Sequence, residues 1–231
     1  MRRWPVVMLA LLAAACTMNK TDGTDSATGG MASDTGMAGM ESDPDRATGG
    51  SGVPAGFLGR VDRDDAKIDS VKYVASGDSW EITTGPAHIL YSASNTASGN
   101  YTAKATIEQL EAPKHPEAFG MLIGGSNLDQ PAQKYTYFLV RGTGDYLVKV
   151  RDGKDTKDVV KWTASDVVPK ADASGKATYA LAVRVTADSV HFMVNDKQAT
   201  AVAKSSVPTD GIVGLRVNHN LRVKTSGVSI N

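Results

Sequence analysis

The chain has 231 residues, with 25 basic and 25 acidic side chains and a formal net charge of zero. That length suits one large domain or two small ones. The even charge balance excludes a global field that would draw the whole chain to nucleic acid or to anionic lipid, so no nucleic-acid partner is expected. Aromatics are sparse, Gly and Thr are plentiful and helix formers are not clustered, which favours strands.

The first element in chain order is a short apolar run. Arg2 and Arg3 precede apolar residues 4–15, and small residues lead into Cys16, the sole cysteine. A charged start, a brief apolar stretch and small residues form the pattern of a secretory signal. The run is too short for a membrane span, which needs about 20 residues. The residues Leu12-Ala13-Ala14-Ala15-Cys16 resemble a bacterial lipobox, with Ala13 standing where Leu is usual. The resemblance implies cleavage before Cys16, diacylglycerol on its sulfur and a membrane partner held through that N-terminal lipid. Two or three acyl chains anchor stably where one does not. An exported chain with no second cysteine has no disulfide to form, which favours lipidation over an ordinary signal peptide with an accidental cysteine. Residues flanking Arg2-Arg3 do not fit a twin-arginine signal. Thr17 rather than Asp follows the cysteine, which by resemblance to lipoprotein sorting implies the outer membrane, facing periplasm or cell surface.

Residues 1–15 therefore read as a signal peptide and residues 16–52 as the lipidated cysteine plus a tether. The tether is rich in Gly, Ser, Thr, Asp, Ala and Met, is net acidic, and lacks Leu, Ile and aromatics. Such a segment cannot bury enough apolar surface to offset its ordering entropy. As a flexible coil it reaches about 30–36 Å root-mean-square. Met18, Met31, Met37 and Met40 recur in it. They read either as thioether ligands for Cu(I) or as drift in a solvated linker.

Residues 53–231 read as an all-β domain. Tyr101, Ala103, Ala105 and Ile107 alternate with Thr102, Lys104, Thr106 and Glu108. The same two-residue rhythm runs through 179–186, 190–195 and 213–218. Each of these strands has one apolar and one mixed face, as in antiparallel sheets packed face to face. Residues 142–145 separate strands at 135–141 and 146–151, and Asp152-Gly153 forms the next turn. Residues 186–189 turn one strand into the next, and Asn195-Asp196 closes the hairpin that follows. Residues 107–110 and 205–207 invite a helical turn. Short strands with polar turns indicate an antiparallel β-sandwich or jelly roll.

The strand series ends in Val194-Asn195, a hairpin, and then Asp210-Gly211-Ile212-Val213-Gly214-Leu215. This order, from about residue 70 onward, is similar to the concanavalin A-like lectin/glucanase superfamily. Laminin-G-like and 3-keto-disaccharide hydrolase domains are the nearest groups. The resemblance implies a concanavalin A-like jelly roll, and one such fold hosts many sites.

Chemistry is thinner. Glucanases of that superfamily carry Glu-x-Asp-x-x-Glu on one strand; here Glu108 and Glu111 lack the central Asp. Neither a Ser-elbow, a P-loop nor a His-Glu-x-x-His stretch is present, and no catalytic or metal-ligating set is assigned. Of His88, His115, His191 and His219, the pair His191 and His219 would make a catalytic or metal site if their strands were neighbours. Otherwise they are surface histidines. A sugar site would combine an aromatic platform with planar polar groups. Its candidates are Tyr135, Tyr137 and Arg141 on one strand face, Lys149 on the next strand, Trp162, and Arg216, Asn218 and His219 from the last hairpin. Rings as large as Trp162 and Tyr137 usually serve burial first, which expects both in the core. Arg141, Lys149 and Arg216 also fit a solvated face of paired charges. No cofactor is called for by the pattern; calcium, common in laminin-G-like domains, would find oxygens at Ser126, Asn127, Asp129 and Asp152. Three readings follow: a non-catalytic module binding glycan or an envelope protein, a glycoside-processing enzyme, and a structural or assembly lipoprotein. The enzyme reading needs some of His191, His219, Glu81, Glu117 and Asp145 to converge in a cleft.

Overall fold

The computed structural model describes residues 52–231. Cys16, the signal segment and the methionines of the tether lie outside the described residues. The strands run, in chain order, β1 (Leu58–Val61), β2 (Lys72–Ser76), β3 (Ser79–Thr83), β4 (His88–Ala97), β5 (Tyr101–Gln109), β6 (Ala118–Ser126), β7 (Lys134–Arg141) and β8 (Asp145–Asp152). They continue as β9 (Asp155–Ala164), β10 (Ala177–Val185), β11 (Ser189–Val194), β12 (Lys197–Ala203), β13 (Gly211–Val217), β14 (Arg222–Thr225) and β15 (Ser229–Ile230).

Two antiparallel sheets form. One has the order β1-β4-β13-β6-β7-β8-β9; the other runs β12-β11-β10-β5-β14-β3-β2, with β15 on β5. Pairing of β4 with β13 and of β5 with β10 joins strands distant in sequence, as a jelly-roll sandwich requires. The apolar faces meet in one core. Tyr101, Ala103, Ala105 and Ile107 of β5, with Tyr179, Leu181, Val183 and Val185 of β10, pack against Phe119, Met121, Phe138, Val140 and Leu215. Two core tyrosines bond their hydroxyls at the rim: Tyr101 donates to Thr209 O at 2.6 Å and Tyr179 to Pro169 O at 3.1 Å.

The turns explain the strand ends. Asn195 and Asp196 adopt φ 50° and 61°, the left-handed pair that a two-residue hairpin needs to match strand twist. The Asn195 side chain also accepts a hydrogen bond from Ala180 N–H at 2.8 Å. Gly153, at φ 59°, turns β8 into β9 directly after Asp152.

Two expectations fail. Wetted outer faces hold for β5, β10 and β11 but not for β13, which, like its neighbours β6 and β7, is buried on most residues. Their second face is covered by its own apolar cluster of Ile89, Tyr91, Leu122, Leu128, Tyr135, Tyr137, Leu139 and Leu147. The helical turn at 107–110 is also absent, because Ile107–Gln109 extend β5 to pair with β10 and β14. The other lies at Lys204–Ser206, and a further 3-10 turn forms at Ile68–Ser70.

Candidate functional site

Strand parity and register place six of the expected residues on one surface. Tyr135, Tyr137 and Arg141 alternate on β7, away from the core residues Phe138 and Val140. Tyr137 pairs directly with Lys149 of β8, and Lys149 with Asp158 of β9. Paired residues share a face, so this is the outer face of the seven-stranded sheet. Arg216 of β13 joins it, since its guanidinium lies over the Tyr137 ring at 5.0 Å.

The centre of the face is closed. Asp62, just after β1, receives both arms of Arg216: Nη1 to Oδ1 at 2.8 Å and Nη2 to Oδ2 at 2.5 Å. Nη1 also donates to the Tyr135 hydroxyl at 3.2 Å. Burial works to raise the Asp62 carboxyl, but the Arg216 charge and hydrogen bonds more than offset it and hold it below the usual carboxylate range. Burial likewise works against the Arg216 cation, yet Tyr135 and Asp62 leave its affinity for a proton raised. Arg216 is therefore a buried, paired group rather than part of a solvated face, and Tyr137 is buried outside the core proper. Burial pushes the Tyr135 and Tyr137 phenols up, so both stay neutral donors at neutral pH.

Toward β9 the face opens. Trp162 is 40 % exposed, which overturns the expectation of a core ring. The Arg141 guanidinium sits 4.1 Å from its centroid. Arg141 Nε also donates to Asp145 at 3.1 Å, and Thr143 Oγ1 donates to the same carboxylate. That Thr143 bond, with Arg141, holds the Asp145 carboxyl below its ordinary value. Lys149 and Asp158 pair at 3.1 Å beside them. An aromatic plane with two partly exposed charge pairs on the same face can offer a stacking surface and planar hydrogen-bonding groups together. The other exposed large apolar side chains among the described residues are Leu58 and Val74; Leu58 lies on the opposite edge of the same sheet from Trp162.

Asn218 and His219 lie at the rim of this face, where they line a cleft with Asp62 and Arg216. They follow β13 at the end of the sandwich and meet the segment just before β6. His219 Nε2 lies 2.7 Å and His115 Nδ1 3.0 Å from the same oxygen, Oε1 of Glu117. Asn218 Nδ2 donates to Glu117 Oε2 at 3.1 Å. The expected pairing of His191 with His219 is not found. His191 sits on β11 of the other sheet and bonds Gln198, and the partner of His219 is His115, ring to ring at 5.3 Å. Of the other residues the enzyme reading invoked, Glu81 pairs with Arg222 and Asp145 with Arg141, so Glu117 and His219 alone converge. The calcium oxygens do not gather either. Ser126 and Asp152 stand two strands apart, about 10 Å, with Lys134 paired between them and bonded to Asp152 at 3.0 Å.

No family model matches the chain, and no curated protein matches it. Solved structures do share its fold. The carbohydrate binding module CBM66 from Bacillus subtilis aligns with a TM-score of 0.54 at 11% identity, over 76% of this chain and 95% of its own. A Bacillus subtilis protein of unknown function with a galectin-like fold aligns at 0.55 and 11% identity, over 76% and 88%. At that identity the likeness establishes the β-sandwich fold alone.

Proposed function

We propose that the chain is a lipoprotein of the bacterial envelope whose sandwich binds glycan, without catalysis, on the outer face of the seven-stranded sheet. Cys16 and its lipobox-like context support the anchor, and the polar segment of residues 17–52 supports a tether that lifts the domain off the lipid. The observation that carries the binding reading is Trp162. A ring of that size left 40 % exposed on a sheet face, with a guanidinium stacked on it and a Lys–Asp pair on the same face, offers a plane and polar groups suited to a sugar ring. One fold neighbour is a carbohydrate binding module, which points the same way. A panel of soluble polysaccharides titrated into the full chain tests it. Trp162→Ala is expected to weaken binding at least about tenfold with stability changed by less than about 0.5 kcal/mol. No binding by the intact chain to any of them sinks the reading. For the anchor, the expected result is that mass spectrometry of the membrane-extracted chain finds a diacylated N-terminus at Cys16.

The glycoside-processing reading, akin to 3-keto-disaccharide hydrolase domains, has one observation behind it. Glu117 and His219 meet at 2.7 Å, and His219 lines a cleft of about 300 Å³ with Asp62 and Arg216. Release of sugar by the chain that Glu117→Gln abolishes, with binding intact, would favour it over the non-catalytic one.

A further inference from the structure

The His115–Glu117–His219 cluster belongs to neither the core nor the outer face, and the geometry points to a site for a divalent transition metal, with Zn²⁺ as the ion its ligands suit. His115 Nδ1, a Glu117 carboxylate oxygen and His219 Nε2 all lie within 4.8 Å of one another. Zinc–ligand bonds of about 2.0–2.1 Å in a tetrahedral arrangement place ligand atoms about 3.3 Å apart. The present 2.7 and 3.0 Å contacts to Glu117 therefore need only a few tenths of an ångström of opening. Each imidazole would bind the metal through the nitrogen that faces Glu117 and keep its proton on the other ring nitrogen, so a neutral ring needs only a change of tautomer.

The backbone already holds the ligands in place. Glu117 directly precedes β6 and His219 follows β13, and these two strands are hydrogen-bonded neighbours. The ladder runs one step further, since Asn218 N–H donates to Ala118 O at 3.0 Å. His115 lies between Pro113 and Pro116, which stiffen its loop. Asn218 acts as the outer support that orients a ligating carboxylate. It gives Nδ2 to Glu117 Oε2 while its own Oδ1 is buried without a partner, so the amide is turned toward Glu117 at a cost. His115 and His219 side chains are 45 % and 29 % exposed, which leaves an entry path.

Two imidazoles and one carboxylate select zinc and its transition-metal neighbours over calcium or magnesium, which want oxygen ligands. Three protein ligands also leave one coordination position, the hallmark of a site that engages water or a ligand oxygen rather than a closed structural one. His219 also lines a cleft with Asp62, Pro86 and Arg216.

The test is calorimetric titration of ZnCl₂ into the tag-free full-length chain, with MgCl₂ and CaCl₂ as controls. The expected result is one Zn²⁺ per chain and no response to Mg²⁺ or Ca²⁺. His115→Gln and His219→Gln should each lose more than about tenfold in affinity, and Asn218→Ala about tenfold, while His191→Gln is unchanged. In parallel, Zn²⁺ should raise the melting temperature of the parent chain and EDTA should reverse the rise. His115 is exposed and outside every strand, so its variant reports on a folded chain even if another does not fold. Absence of stoichiometric Zn²⁺ binding, or binding and thermal stabilisation that survive both histidine substitutions, overturns the proposal.

Discussion

His88 makes the sandwich sensitive to mild acid. The residue starts β4, is fully buried, and meets Tyr73 edge-on with ring centroids 5.9 Å apart. Its Nδ1 faces Pro86 O at 3.3 Å, and Nε2 has no hydrogen-bond partner. Burial is the main influence and drives the imidazole down from 6.5 to about 4; Pro86 O and Asp62 pull it up, and Arg216 pushes with burial. Because the folded value is depressed, the unfolded chain binds the extra proton between those two values. The stabilisation is therefore complete above pH 6.5 and is lost as pH falls toward 4. The full shift corresponds to about 3 kcal/mol. Between about pH 7.5 and about pH 5 the loss is about 2 kcal/mol, or a fall of about 4–8 °C in melting temperature for a domain of this size. Urea unfolding followed by circular dichroism across that range measures it. His88→Leu lowers stability at neutral pH by leaving Pro86 O unbonded, but should flatten the slope. A variant that keeps the parent's slope would refute the argument. The Asp62 carboxyl has the opposite reference: its stabilisation is present above 3.8 and disappears only below it, so the two windows separate.

Other perturbations follow from the same contacts. Asp62→Ala strands the Arg216 cation in the outer-face cluster and should cost about 3 kcal/mol in urea unfolding, whereas Asp62→Leu with Arg216→Met should return to within about 1 kcal/mol of the parent. Asn195→Ala loses the bond to Ala180 N–H and puts alanine at φ 50°, for a cost of about 2 kcal/mol by the same assay. Gly175→Ala places a Cβ 1.9 Å from Ala112 N at φ +80°. It should displace the loop carrying His115, destabilise the fold by more than about 2 kcal/mol and weaken Zn²⁺ binding in titration.

What could be read in the sequence was local. Alternation from Tyr101 to Ile107 and from Tyr179 to Val185 identified faces because a pleated strand separates odd from even positions whatever its partner. The same parity grouped Tyr135, Tyr137 and Arg141. It could not say that the group pointed away from the other sheet, since Phe138 and Val140 offer an equally apolar alternative. Strands β4 and β6, which flank β13 in the sheet, left no alternating trace. Residues 118–123 are an unbroken apolar run, because both faces of β6 are covered, and such a run does not announce itself as a strand. Trp162 misled for a related reason: burial is the ordinary fate of a large ring, and β9 is an edge strand whose faces are mostly wet. The end-of-sandwich cluster was beyond reach of any local pattern. His115-Pro-Glu117 and Asn218-His219 are unremarkable dipeptide-scale features apart. They become one site because β6 pairs with β13, and that pairing is set by the packing of two sheets rather than by either stretch alone. A functional set carried within one strand's alternation can therefore be proposed from residues, whereas one assembled across a ladder between distant strands waits for the register.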